Sequence, residues 1–400
     1  MIEYILIAIF LGLVAGTLTG LIPGIHINLL ALLLFSSSAF FLQFTDPSIL
    51  VVFIISMAVT HTFLDFLPSI FLGAPDEDTA LSVLPGHRLL LKGKGYGAVK
   101  LTVVGSFFGL LIALALAPFF IVTLPYFYPF LIKIIVFLLI AIVIFLIFKE
   151  EKSKRIPALF LFLLAGILGY ATLNFPLIKQ PLFPLFTGLF GASLLAISIV
   201  KNVKLPEQKI KPIKIKRKNI LQALGLGIFS SSLVSFLPGV GSSQAAVISS
   251  GLKKIDEKTF LILLGAINTI VMILSFIVLY SVSRPRTGIA VFIGRFLGIF
   301  SEQQLWLFLA VALLAGSLAV FITFIFARIF SKNIAKIDYK KLCLAILVFL
   351  TILVPILSGW LALLVFITAT ALGISTSMLG IRKMYLMGCL ILPVIIWYLI

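Results

Sequence analysis

The sequence predicts an all-α polytopic membrane protein of two inverted-topology repeats, with Pro-Gly-broken or re-entrant helices and roughly 12–14 hydrophobic segments. Three observations predict it. Of 400 residues, 62% are hydrophobic and 11% charged, against roughly 45–50% and about 25% in soluble domains. Apolar windows of about 20 residues recur along the whole chain, each long enough to cross a bilayer. A Pro-Gly pair interrupts the apolar run twice, at Pro23-Gly24 and again at Pro238-Gly239.

The formal net charge is +18 and the mean hydropathy is +1.27. A nucleic-acid ligand is not expected, because the basic residues fall in short clusters between apolar spans. That is how cytoplasmic loops look under the positive-inside rule, and such clusters also meet anionic membrane lipids. Cys343 and Cys389 both lie in apolar runs with no paired spacing, so neither a disulfide nor a metal site is expected. The opening "MIEYILIAIF" has no basic n-region and reads as a first span rather than a signal peptide.

The basic clusters at 87–100, 149–155, 201–219, 253–258, 327–341 and 381–383 are placed in the cytoplasm. The charge-poor turns 45–48, 123–129 and 174–181 are placed outside. Spans then alternate. Residues 3–22 run inward, 25–44 outward and 48–73 inward. Residues 98–123 run out, 128–148 in, 156–174 out and 182–200 in. Residues 219–237 run out, and 240–252 return as a short, re-entrant arm. Residues 259–282 run out, 303–329 in, 341–357 out, 359–378 in and 384–400 out. Both termini are expected outside. The division is a first membrane repeat over 1–200, a basic cytoplasmic linker over 201–218 and a second repeat over 219–400.

The repeat shows in two echoes. "GLVAGTLTGLIPGIHINLLA" (12–31) aligns on its proline with "GIFSSSLVSFLPGVGSSQAA" (227–246), and "HTFLDF…GAP" from His61 aligns with "NTIVMI…SRP" from Asn268. By the charge pattern the two breaks enter from opposite sides. Inverted repeats with interrupted hydrophobic segments in matching places point to a secondary transporter. Proline removes an N–H, and freed backbone groups persist at membrane depth only inside protein or along water. A helix N-terminus opened there attracts anions, and freed carbonyls attract cations. The plainer alternative is a tight turn between two spans at each break.

Candidate substrate-binding residues therefore cluster at the breaks: Pro23, Gly24, His26 and Asn28, then Pro238, Gly239, Gly241, Ser242, Ser243 and Gln244. Small hydroxyl residues also serve close helix packing, the reading favoured for the "SSS" run at 230–232. Asn268 joins the candidates, with Arg284 and Arg286, whose guanidinium groups suit carboxylate or phosphate. His61 and Asp65 lie four apart and share a helix face. Intramembrane carboxylates mark ion or proton pathways, so both are candidates for ion coupling or a gate. Asp76 and Asp78, beside a Gly-Ala-Pro break, are gate candidates as well. The three histidines lack the short pairing of a zinc site. No Walker loop, nucleophile elbow or HExxH is present, so no enzyme is expected.

At these residues the sequence resembles the large permease subunit of tripartite tricarboxylate transporters. The resemblance rests on the two "GxxPGxG"-like segments, "GAPDEDTALSVLPGHRLLLKGKGYGAVKL", "PLFPLFTGLFGASLL" and "LGIRKMYLMGCLILP". It covers nearly the whole chain, in a short form similar to archaeal branches. His26 stands where the family commonly has glycine, and Asp76 and Asp78 replace small residues. The resemblance implies a multi-span permease for citrate-like carboxylates, driven by a gradient of Na+ or H+. It also implies a small membrane subunit and an extracytoplasmic binding protein. No cofactor is expected, and a homo-oligomer is compatible with the reading. Two alternatives share the same features. One is a flippase for polyprenyl-phosphate or another lipid-phosphate, and the other is a non-transporting membrane partner subunit.

Overall fold

The computed structural model describes residues 2–22, 43, 45–74, 79–200, 205–235, 241–285, 287–336 and 338–399. All regular structure among them is helical. The span expected at 25–44 lies outside the described residues.

α1 (Ile2–Leu21) packs along α2 (Pro47–Leu64). Asp46 caps α2, its carboxylate accepting the Ser48 N–H at 2.7 Å. Pro47 follows in the first turn, where a missing N–H costs nothing. Beyond Asp65 the chain widens into a π turn, Pro68–Leu72, and stops at Gly73 in the left-handed region. α3 (Val83–Leu91) is about 14 Å long and too short to cross a membrane. α4 (Gly95–Ala115), α5 (Ala117–Phe148) and α6 (Lys152–Leu173) follow. α7 (Leu182–Phe186) and α8 (Ser193–Val200) are joined by a second π segment, Thr187–Ala192.

The second half holds α9 (Arg217–Ser235), α10 (Ser242–Leu252), α11 (Glu257–Val282) and α12 (Gly288–Leu297). It continues through α13 (Glu302–Asn333), α14 (Tyr339–Ser358), α15 (Ala362–Met378) and α16 (Gly388–Leu399). Side chains cap these helices. Asp256 accepts the Thr259 N–H at the start of α11. Ser301 and Gln304 exchange bonds, each with the other's N–H, at the start of α13.

Among the described residues, eight helices are long and apolar enough to cross a membrane. Their outer faces are apolar: Ile7 and Phe321, like many large side chains, are exposed. Such a surface suits lipid, not water. α11 is the central column, buried along all of its most apolar stretch. It crosses α4 backbone to backbone. A Cβ added at Gly265 would lie 2.1 Å from the Thr102 carbonyl oxygen, and one at Gly105 would lie 1.9 Å from that of Ile262. α1 meets α2 in the same way, through Gly12 and Gly16 against the Phe53 and Met57 carbonyls. Lipid offers no hydrophobic drive between helices, so close contact of small residues replaces it.

One predicted turn is corrected. "TLPYFYP" at 123–129 is not an external loop but the interior of α5, which runs unbroken through Pro125 and Pro129. α4 and α5 abut at Leu116, whose backbone stays in the right-handed region. Neighbouring helices can re-satisfy carbonyls that an intramembrane proline leaves open, so proline there does not force a turn. The mixed segment after α11 also contains a helix, α12, that hydropathy did not separate.

All six basic clusters meet at one end of the bundle. Arg88 pairs with Glu257 at 2.8 Å, and Arg382 pairs with Glu150. The Lys209 N–H donates to the Gly93 carbonyl at 2.8 Å, and Tyr339 and His87 are bonded at 2.8 Å. At the opposite end, Gln304 donates to Ser48 at 3.1 Å, and Ser358 donates to the Gln180 carbonyl at 2.9 Å. The charge pattern and the packing therefore divide the loops into the same two groups.

Candidate functional site

The centre of the bundle holds a polar network that joins the two halves of the chain. Asp65, at the C-terminal end of α2, is 2% exposed. Asn268, on α11, is equally buried. Its amide donates to Asp65 Oδ2 at 2.7 Å and lies 3.4 Å from the Thr62 carbonyl. Three positions before Asp65 and one after Asn268, the hydroxyls of Thr62 and Thr269 meet at 3.4 Å. Thr62 donates to the Val59 carbonyl at 2.8 Å, so Thr269 is the donor between them. His61 turns the other way, and its Nδ1 lies 3.0 Å from the Thr19 hydroxyl of α1. Thr19 in turn donates to the Gly16 carbonyl at 3.2 Å.

The order of these contacts is informative. Thr62 meets Thr269, while Asp65 meets Asn268. The partner number falls as the position along α2 rises, so the helices run antiparallel. In the sequence echo His61 aligns with Asn268, which makes Thr62 the counterpart of Thr269.

A second polar group sits at the start of α10. Gln244 is 1% exposed, and its Oε1 accepts the Gly241 N–H at 2.9 Å. Its Nε2 finds no acceptor among the described residues. Ser242 and Ser243 are buried in the same turn. On neighbouring α9, Ser231 and Ser235 lie four apart, buried, with hydroxyls that have no partner among the described residues. Ser230 differs: it bonds Ser249 of α10 at 2.6 Å and serves packing.

Both groups lie at similar depth. From Leu252, at the basic end, α10 rises about 15 Å to Ser242; from Glu257, α11 rises about 17 Å to Asn268. Each rise is about half of a roughly 30 Å hydrocarbon core. The arrangement offers an anion the N-terminus of α10 and the Gln244 amide. It offers a cation the Asp65 carboxylate.

The structure brings together Asp65 and Asn268, which the sequence placed in separate roles. It keeps Gly241, Ser242, Ser243 and Gln244 as one turn. Arg284 is exposed beyond the end of α11, about 24 Å of helix rise from Asn268, and does not reach the network. Pro23, Gly24, His26, Asn28, Asp76, Asp78, Pro238, Gly239 and Arg286 lie outside the described residues. Thr19, Thr62 and Thr269 were missed from sequence, because a threonine in a span usually bonds its own helix. Only the alignment of His61 with Asn268 pointed toward the threonine pair.

Among the described residues, eight apolar spans around a buried polar centre define a polytopic membrane protein. Residues 6–388 match the tripartite tricarboxylate transporter TctA family, and the chain belongs to that family. It is similar to an uncharacterized protein of Methanocaldococcus jannaschii. The two are 29% identical over 405 residues, covering 98% of this chain and 99% of the relative. No solved structure matches it. Family membership makes it a membrane component of tricarboxylate transport, a family of transporters that typically works with further subunits.

Proposed function

We propose that the chain is a secondary permease that moves an organic anion, a carboxylate, by alternating access coupled to a cation gradient. The observation that carries this reading is the Asp65–Asn268 pair at mid-depth between the two halves. A mid-membrane carboxylate costs about 2.5–3.5 kcal/mol on insertion scales, so its presence argues for use. Binding Na+ or H+ neutralises Asp65, and the Asn268 amide holds the carboxylate in place meanwhile. The anion then occupies the start of α10, between Gln244 and the α9 serines. The Thr62–Thr269 contact supports two inverted halves, 1–200 and 219–400, that rock about this point. With the basic end in the cytoplasm, both termini face outside. A small membrane subunit and an extracytoplasmic binding protein complete the system.

Uptake of labelled citrate into proteoliposomes, with and without Na+ or proton gradients, tests the reading. Uptake that depends on one gradient and is lost in Asp65→Asn supports it. No carboxylate uptake under any gradient, with or without the partner subunits, overturns it.

A further inference from the structure

The basic end of the bundle contains a cavity that the mid-depth centre does not use. It measures about 300 Å³ and opens among α3, α8, the α10–α11 loop and the turn before α16. Five basic side chains line it, Arg88, Lys253, Lys254, Arg382 and Lys383, against one acidic side chain, Glu257. Glu257 is engaged by Arg88, and Arg382 is engaged by Glu150. Lys253, Lys254 and Lys383 have no carboxylate partner among the described residues.

Lys383 is the telling member. It is 8% exposed, although lysine is almost never buried without a counter-charge. Its Nζ donates to Ser193 Oγ at 2.7 Å and lies 3.5 Å from the Leu189 and Phe190 carbonyls. Those two carbonyls belong to the π segment 187–192, and the Ser193 hydroxyl also donates to that of Leu189 at 2.7 Å. Neutral acceptors hold the ammonium in place, and no carboxylate among the described residues pairs with it, a costly state for a buried charge. Phe190, Leu194 and Phe260 add apolar side chains to the lining. The volume sits at the small end of ligand pockets.

We propose that this cavity is a second anion site, selective for a small multivalent oxyanion bearing carboxylate or phosphate groups. Lys383 supplies the buried charge, Lys253 and Lys254 supply the rim, and the apolar side chains take the carbon skeleton. The same groups are offered by a soluble polycarboxylate or pyrophosphate and by an anionic lipid headgroup. The site does not depend on the permease reading, because binding is measured without transport.

The test uses the purified full-length protein in neutral detergent, titrated with citrate, with pyrophosphate and with short-chain phosphatidic acid. Thermal stabilisation and calorimetry are the readouts. Saturable binding that weakens with salt is expected. Lys383→Met and the rim variant Lys253→Gln/Lys254→Gln should each weaken it by about ten-fold or more, while Asp65→Asn binds as wild type does. The rim variant changes exposed side chains only, so it keeps the test valid if Lys383→Met misfolds. Response to citrate or pyrophosphate assigns a soluble anion, and response to the lipid alone assigns a headgroup. The proposal fails if none of the three binds saturably. It fails equally if the rim variant binds like wild type, or if Asp65→Asn removes binding as fully as the lysine changes do.

Discussion

Asp65 and Asn268 stand 203 positions apart in the chain and 2.7 Å apart in the bundle. With the Thr62–Thr269 contact, the pair joins the two halves of the molecule through polar bonds. Replacing Asn268 with alanine leaves a buried carboxylate without that donor, at a cost of about 1–3 kcal/mol or more. Asp65→Asn keeps the shape and removes the charge. The expected split is a less stable protein for Asn268→Ala, by detergent melting, and a stable one without cation dependence for Asp65→Asn. Equal melting of Asn268→Ala and wild type would show that the bond contributes nothing to stability.

The contact of Thr62 with Thr269 gives a direct test of the antiparallel crossing. Cysteines at both positions, in a background with Cys343 and Cys389 changed to alanine, should cross-link on mild oxidation. The hydroxyls are 3.4 Å apart, within reach of a sulfur bridge. The cross-link should also stop transport if the halves must rock past each other. A bridge between Thr62→Cys and a cysteine at Thr259 is not expected, because Thr259 lies about 15 Å along α11 from Thr269.

Gly265 has no room to grow. With the Thr102 carbonyl 2.1 Å from where a Cβ would be, Gly265→Leu must push α4 and α11 apart. Overpacking of this kind costs about 1–3 kcal/mol, and a backbone clash exceeds that. The expected result is low yield and early melting. Gly225, with nothing within 4 Å of its Cβ position, should accept the same change.

His87, on the short non-spanning α3, bonds Tyr339 and is deeply buried. Burial lowers its pKa from the usual 6.5 to about 4, so the ring is neutral near pH 7. Between those two values the unfolded chain binds the proton and the folded one does not. Stability from this site is therefore complete above about pH 6.5 and is lost as pH falls toward about 4. His87→Gln keeps a polar group for Tyr339 and removes the titration. Melting curves from pH 7.5 to 4.5 should fall more steeply for wild type than for His87→Gln.

Much of the fold was legible in the sequence, and the reason is the solvent. A bilayer demands long apolar helices and sorts lysine and arginine to one side, so hydropathy and charge located the spans, and their clusters did meet at one end. The turn at 123–129 was misread because proline breaks helices in water more reliably than in a packed membrane bundle. Asp65, Asn268 and Gln244 stood out singly, as polar residues are costly at that depth. Their grouping did not, because no local pattern says which side chains meet across 203 residues. Arg284 carried the right chemistry and lies at the wrong height.

By itself the sequence determined the class of protein, the positions of most spans and the clustering of basic loops, since each depends on local composition against lipid. Only the tertiary structure decided that Asp65 faces Asn268, that Thr62 meets Thr269, and that Lys383 is buried with no carboxylate partner among the described residues. Those follow from which helix faces touch, and a helix face finds its partner by shape and close packing rather than by anything written within its own residues.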